Sequence, residues 1–120
     1  EVTMSLVQTV MKDLMLTEEA NVIAPTEIIS ETAQYFELTV EDLYGSSRSQ
    51  VIAMARQIAM YLCRELTSLS LPKIGQLFGN RDHTTVMYAN KKISDLMKER
   101  RSVYNQVTEL TGRIKQQRIY

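Results

Sequence analysis

The sequence predicts an all-α domain that contains a helix-turn-helix. Apolar residues recur every three or four positions along most of the 120 residues, and no stretch alternates apolar and polar residues as a strand would. A glycine-containing turn at residues 79–82 separates two of these helical stretches. A turn of this kind between two helices is the sequence signature of a helix-turn-helix.

The first 45 residues predict three helices. Residues 2–15 have apolar side chains at helical spacing, and a polar loop follows them. Pro25 suits the first turn of a second helix, because a helix needs no amide proton there. Thr39 and Asp42 have the spacing of a capping box and start a short third helix, which Gly45 ends. The second helix turns inward Ile28, Ile29, Ala33 and Phe36.

A polar loop, 46–49, precedes the longest predicted helix, which spans residues 50–69. Ser70 then caps a short helix that Pro72 opens. Gly79 ends the short helix, and we expect it to adopt the left-handed conformation that glycine tolerates best. The apolar stripe of the long helix contains Val51, Ala55, Ile58, Leu62 and Leu66. The core side of the short helix contains Ile74, Leu77 and Phe78.

The segment after Asp82 predicts a helix to about Lys98, and a last helix spans residues 102–117. Asp82 suits the N-cap, where its carboxylate can accept from the amide of Thr85. Helical spacing gives the helix after Asp82 a core face and an opposite, more polar face. The core face contains Val86, Asn90, Ile93 and Met97, and the opposite face contains Thr84, Thr85, Tyr88, Ala89 and Lys92. The last helix has its apolar stripe at Val103, Val107, Leu110 and Ile114.

Charge is divided unequally along the chain, although 14 basic and 14 acidic residues cancel overall. Residues 1–45 contain Lys12 against nine acids, a net charge of −8, and residues 46–120 have a net charge of +8. Such asymmetry is a hint of a polyanionic partner for the basic part. The alternative is that two solvated faces of opposite sign pair with each other.

Several function classes find no support in the sequence. Cys63 is the single cysteine and has the spacing of a core residue, so we expect no disulfide and no zinc site. None of the four glycines is followed by lysine, so the chain has no P-loop, and His83 has no nucleophile placed beside it. We therefore expect no enzyme activity and no cofactor in this segment. No membrane span or signal peptide is visible, and we expect a cytoplasmic location.

The helix after Asp82 has the chemistry of a DNA-reading helix. Its small first residues allow close approach to base edges in the major groove. A carboxylate at Asp82 can accept from a cytosine amino group, and His83 can donate or accept. The threonine methyls and Ala89 can pack on a thymine methyl. Arg81 and Lys92 flank this face and suit phosphates.

The run GNRDHTTV at residues 79–86, followed by Ala89 and Lys92, resembles the C-terminal DNA-binding domain of the DnaA family of bacterial chromosomal replication initiators. Residues 55–62, 65–67 and 70–75 fit the same family, and the detailed match runs from about 44 to 96. The resemblance implies a Trp-repressor-like helix-turn-helix at residues 25–120. Residues 1–24 would then be a connector helix and loop from a preceding ATPase domain.

The resemblance also implies a function and a set of contacts. The family binds short asymmetric boxes such as TTATCCACA in double-stranded origin DNA, with one helix in the major groove and a basic loop in the minor groove. ATP, magnesium and further initiator copies would bind the ATPase domain. The implied base contacts are Asp82, His83, Thr84, Thr85 and Ala89, with Arg48 in the minor groove. The implied phosphate contacts are Arg56, Gln57, Arg64, Arg81 and Lys92, with the backbone around Leu71, Pro72, Ile74 and Gly75.

One departure concerns the loop at residues 46–49. Family members often place several basic residues there, whereas here Arg48 stands among serines. This predicts a smaller electrostatic share of DNA affinity than in more basic relatives.

Two other functions stay open at this point. The acidic part and its apolar first helix could dock a protein partner, and salt would then affect binding less steeply than it affects DNA binding. A helix-turn-helix transcription regulator with its own operator is the other alternative. A dimer on a palindrome would favour that alternative, and a monomer on an asymmetric box would oppose it.

Overall fold

The computed structural model describes residues 23–45 and 49–117, and within them it contains six α-helices and no strand. The all-α prediction is confirmed. None of the described helices is long and apolar enough to cross a membrane. The predicted connector helix and Arg48 lie outside the described residues. The helices are α1 (Pro25–Tyr35), α2 (Val40–Tyr44), α3 (Gln50–Leu66), α4 (Leu71–Leu77), α5 (His83–Glu99) and α6 (Arg101–Gln117).

Local capping sets most of the helix ends where the sequence predicts them. Pro25 is the first residue of α1. The capping box of α2 is complete: the Asp42 amide donates to Thr39 Oγ1 at 3.1 Å, and the Thr39 amide donates to Asp42 Oδ2 at 3.0 Å. Ser70 caps α4 by accepting from the Lys73 amide at 3.3 Å. These side chains satisfy amides that a helix leaves without intrahelical partners.

The long helix α3 ends at Leu66, earlier than the predicted residue 69. Thr67 is the reason, because its hydroxyl donates back to the Cys63 carbonyl and accepts from the Leu69 amide. A side chain that bonds locally to the backbone in this way competes with helix continuation.

The core forms around α3, which packs against α1, α2, α4 and α5, while α6 closes the domain over α1 and α5. Phe78, Leu43 and Ile58 are among its fully buried side chains. The predicted stripe of α6 is confirmed, because Val103, Val107, Leu110 and Ile114 are all buried. The prediction for Val51 is wrong: this residue is 54% exposed, since it lies in the first turn of α3.

The turn between α4 and α5 depends on two glycines. The carbonyl of Gly75 accepts from the amides of Phe78 at 3.1 Å and Arg81 at 2.8 Å. A Cβ on Gly75 would overlap the carbonyl oxygen of Arg81. Gly79 has a φ of +82°, which confirms the predicted left-handed conformation. The chain therefore folds back tightly after α4 and starts α5 within a few residues.

We predict that Gly75→Ala lowers the free energy of unfolding by about 2 kcal/mol or more, because the new methyl group must displace backbone. Urea unfolding followed by circular dichroism measures the change. Gly112→Ala is the matched control, since a Cβ there meets nothing within 4 Å. Because Gly112 is an exposed position within α6, this change should raise stability by about 0.5–1 kcal/mol. Equal effects of the two changes would contradict the close approach at Gly75.

Candidate nucleic-acid interface

The first turn of α5 presents four polar side chains to solvent: Asp82, His83, Thr84 and Thr85 are all exposed. The opposite side of this helix anchors it, because Val86 and Ile93 are fully buried. Val86 and Ile93 belong to the predicted core face, and the other two residues of that face, Asn90 and Met97, are half-buried. The helix therefore starts with a polar, accessible end fixed to the domain by its apolar face.

Ala89 lies on the buried side of α5, and its predicted place on the groove face is wrong. It is only 2% exposed. The physical reason is its spacing of three from Val86 and four from Ile93, which puts all three on one helical stripe. Ala89 therefore packs in the core and is not available as a base contact.

The Asp82 side chain does not cap α5 as predicted, although Asp82 occupies the N-cap position. The Thr85 amide donates instead to the Asp82 backbone carbonyl, at 3.0 Å. The carboxylate accepts from the Thr84 hydroxyl at 3.0 Å, and its other oxygen lies 2.9 Å from His83 Nδ1. The hydrogen bond from Thr84 is the main cause that holds the pKa of Asp82 below its usual value. The three side chains thus form one hydrogen-bonded cluster at the helix start.

This cluster defines which atoms of His83 face a ligand. A proton on Nδ1 is directed to the Asp82 carboxylate at 2.9 Å. In the neutral ring, Nε2 then carries no proton and accepts a hydrogen bond. The helix start therefore offers an imidazole that accepts in its neutral form, threonine methyls and hydroxyls, and a carboxylate with further lone pairs.

Fewer groups are accessible to a DNA phosphate at the start of α4 than the sequence predicts. Ile74 and Gly75 are buried, and the Ile74 amide donates to the Ser70 carbonyl at 3.0 Å. The Ile74 amide is therefore already paired within the domain, and phosphate contacts by Ile74 and Gly75 stay predictions. Pro72 is exposed and Leu71 is half-buried. A contact at Pro72 would have to use its ring or carbonyl, since proline has no amide proton.

Two arginines predicted to contact phosphates bind the end of α2 in this structure. Arg56 is 8% exposed, and its Nε donates to the Leu43 carbonyl at 3.0 Å. Its Nη2 donates to the Asp42 carbonyl at 3.3 Å. The Arg81 side chain donates through Nη2 to the carbonyl of Gly45. The two guanidinium groups thus satisfy carbonyls at a helix C-terminus, where positive charge is favourable.

This structural role of the two arginines was not predicted from the sequence. A signal for it existed, because α2 has no basic residue in its own last turn. Burial, followed by the nearby charge of Arg81, holds the pKa of Arg56 below its ordinary value. Phosphate contacts by Arg56 and Arg81 stay predictions.

The other predicted phosphate contacts have varied surroundings. Arg64 is exposed, whereas Gln57 and Lys92 are half-buried. The Oε1 atom of Gln57 is buried, and no hydrogen-bond donor reaches it within the part of the chain that the structure describes. Their contacts with DNA stay predictions.

The fold and the site define a helix-turn-helix protein. Its two helices are α4 and α5, a tight turn joins them, and the polar start of α5 is exposed. Residues 25–93 match the family described as "Bacterial dnaA protein helix-turn-helix". The match covers more than half of the chain, and the chain belongs to this family.

Curated relatives agree with this assignment. The chain is 80% identical over 115 residues to the chromosomal replication initiator protein DnaA of Leifsonia xyli subsp. xyli, with 96% of the chain and 24% of the relative covered. It is 77% identical over 119 residues to the same-named protein of Clavibacter sepedonicus, with 99% and 25% covered. The identity to that of Cutibacterium acnes is 56% over 115 residues, with 96% and 23% covered. The chain spans about a quarter of the length of these relatives.

We predict that Arg56→Ala lowers the free energy of unfolding by about 2–3 kcal/mol, because a buried carbonyl at Leu43 and a partly buried one at Asp42 lose a charged donor. Thermal or urea unfolding measures the loss. Arg64→Ala is the control, since Arg64 lies on the same helix and is exposed, and it should cost less than about 1 kcal/mol. If Arg56→Ala were as stable as the control, the account of Arg56 as a helix-end ligand would be wrong.

Proposed function

We propose that this chain binds double-stranded DNA sequence-specifically in the initiation of chromosomal replication. The exposed polar start of α5, in a chain of this family, is the observation that supports the proposal. The target we propose is a short asymmetric box similar to TTATCCACA, bound by one copy of the domain. The names of the relatives support the role in replication initiation.

The proposed mechanism places the N-terminus of α5 in the major groove. His83, Thr84 and Thr85 then face base edges, with an imidazole acceptor for an amino group and methyl groups for thymine. Asp82 holds His83 and Thr84 in place, and its carboxylate has lone pairs left for a cytosine amino group. The helix dipole adds a partial positive charge at the end nearest to the duplex.

Phosphate contacts would fix the register of α5 on the duplex without reading the sequence. We propose Lys92, Arg64 and Gln57 for this role, together with the start of α4 at Leu71 and Pro72. Arg48 would enter the adjacent minor groove. Because Arg56 and Arg81 bind backbone carbonyls within the domain, the electrostatic share of affinity should be smaller than the +8 charge of residues 46–120 suggests.

The remaining activities belong, in this proposal, to the part of the longer protein outside this chain. ATP and magnesium would bind there, and further initiator copies would assemble through it. The location we propose is the bacterial cytoplasm, at the nucleoid.

We predict that Thr85→Ala weakens binding to a TTATCCACA duplex by about 1–3 kcal/mol and binding to a shuffled duplex much less. His83→Ala should behave in the same way. Fluorescence-anisotropy titrations of the two labelled duplexes at one salt concentration measure the difference. Thr108→Ala is the matched control, because Thr108 is an exposed threonine on α6 and should leave both affinities unchanged.

Equal losses on both duplexes would show that Thr85 and His83 do not contact bases. In that case the first turn of α5 would be a solvated helix end, and the proposed function would lose its main support.

A further inference from the structure

A groove lies between the first two turns of α3 and the C-terminal half of α5. Its volume is about 310 Å³. The groove is lined by Gln50, Ala53 and Met54 of α3, by Lys92 and Leu96 of α5, and by Arg100, the C-cap residue of α5. Of the residues that line this groove, only Lys92 is among the functional residues that the sequence predicts.

The groove is positively charged. Lys92 and Arg100 line it, and no acidic residue does. Within residues 23–45 and 49–116, neither cation forms an ion pair with an acidic side chain. The N-terminus of α3 has no acidic residue in its first turn, so its partial positive charge adds to that of the two side chains.

The acidic side chains of α5 near this groove do not line it. Asp95 pairs with Lys91 at 3.2 Å. Glu99 lines a different groove at the α5–α6 corner, together with Lys98 and Arg101. The charge of Arg100 is therefore not offset within the groove that it lines.

The remaining lining suits a specific kind of ligand. Ala53, Met54 and Leu96 are apolar, whereas the cations and the Gln50 amide are polar. An apolar surface between cations and an amide matches a sugar–phosphate backbone, in which deoxyribose rings alternate with anionic phosphates.

The groove residues are close in the chain to both segments that we propose to contact DNA. Lys92, Leu96 and Arg100 follow one another at four-residue spacing toward the C-terminal end of α5, and the start of α5 that we propose to contact DNA is the other end of this helix. Gln50 stands two residues after Arg48 in the chain. A duplex that contacts the start of α5 and the loop before α3 would run its backbone between these elements.

We propose that this groove binds the sugar–phosphate backbone of the same duplex, with Arg100 as an additional phosphate contact and Gln50 beside it. The inference rests on the proposed DNA binding and extends its footprint beyond the first turn of α5. Arg100 contributes affinity and not sequence discrimination, because phosphates are the same at every base pair.

The test compares Arg100→Gln with Arg101→Gln, two adjacent substitutions that remove the same charge from exposed residues. Anisotropy titrations use a TTATCCACA duplex with flanking base pairs and its shuffled counterpart over a salt series. For Arg100→Gln, the slope of log affinity against log salt should be shallower by about 0.9, with similar losses on both duplexes. Arg101→Gln should keep the wild-type slope.

A wild-type slope for Arg100→Gln, or equal changes for both variants, would overturn the inference. This outcome differs from failure of the proposed function, in which the wild-type chain would not prefer the box. The slope comparison stays informative in that case, because a backbone contact acts on the shuffled duplex too. As a second measurement, neutral methylphosphonates placed along the backbone should weaken wild-type binding at one position and leave Arg100→Gln unaffected there.

Discussion

The close approach of Gly75 to the backbone of Arg81 is the constraint on which the rest of this structure depends. Because Gly75 has no side chain, its carbonyl accepts from two amides of the turn while its Cα lies against the Arg81 carbonyl. The turn then leads directly into α5, whose apolar stripe of Val86, Ala89 and Ile93 is buried in the core. The first turn of α5 is consequently held in one orientation with its polar side chains exposed, which is what base contacts require.

A second set of interactions joins the acidic and basic parts of the chain. Arg56 and Arg81 donate to the carbonyls at the end of α2, just before the loop that contains Arg48. Gly79 brings the turn against this same place, since a Cβ there would lie 2.7 Å from the Tyr44 carbonyl oxygen. The helix-turn-helix and the residues leading into the loop therefore form one packed unit. Two arginines of the basic part thus bind backbone carbonyls within the domain.

The sequence predicted three helix ends well from local chemistry, whereas the side-chain cap at Asp82 and the end of α3 were predicted wrongly. The capping box at Thr39, the Ser70 cap and the left-handed Gly79 all depend on neighbours within a few residues. Predictions that depend on the rotation and packing of whole helices were less secure. Ala89 is buried because it shares a stripe with Val86 and Ile93, and Arg56 binds a helix end that is distant in sequence. Neither arrangement follows from charge or from residue type alone.

The most direct test of the account is a fluorescence-anisotropy titration of a labelled TTATCCACA duplex at near-physiological salt, against a shuffled duplex of equal composition. The account predicts tighter binding to the box by about a hundredfold or more, a difference of about 2.7 kcal/mol. Equal binding to both duplexes would contradict it. The exposed start of α5 would then not contact bases, and a protein-interaction role for the domain would become the better explanation.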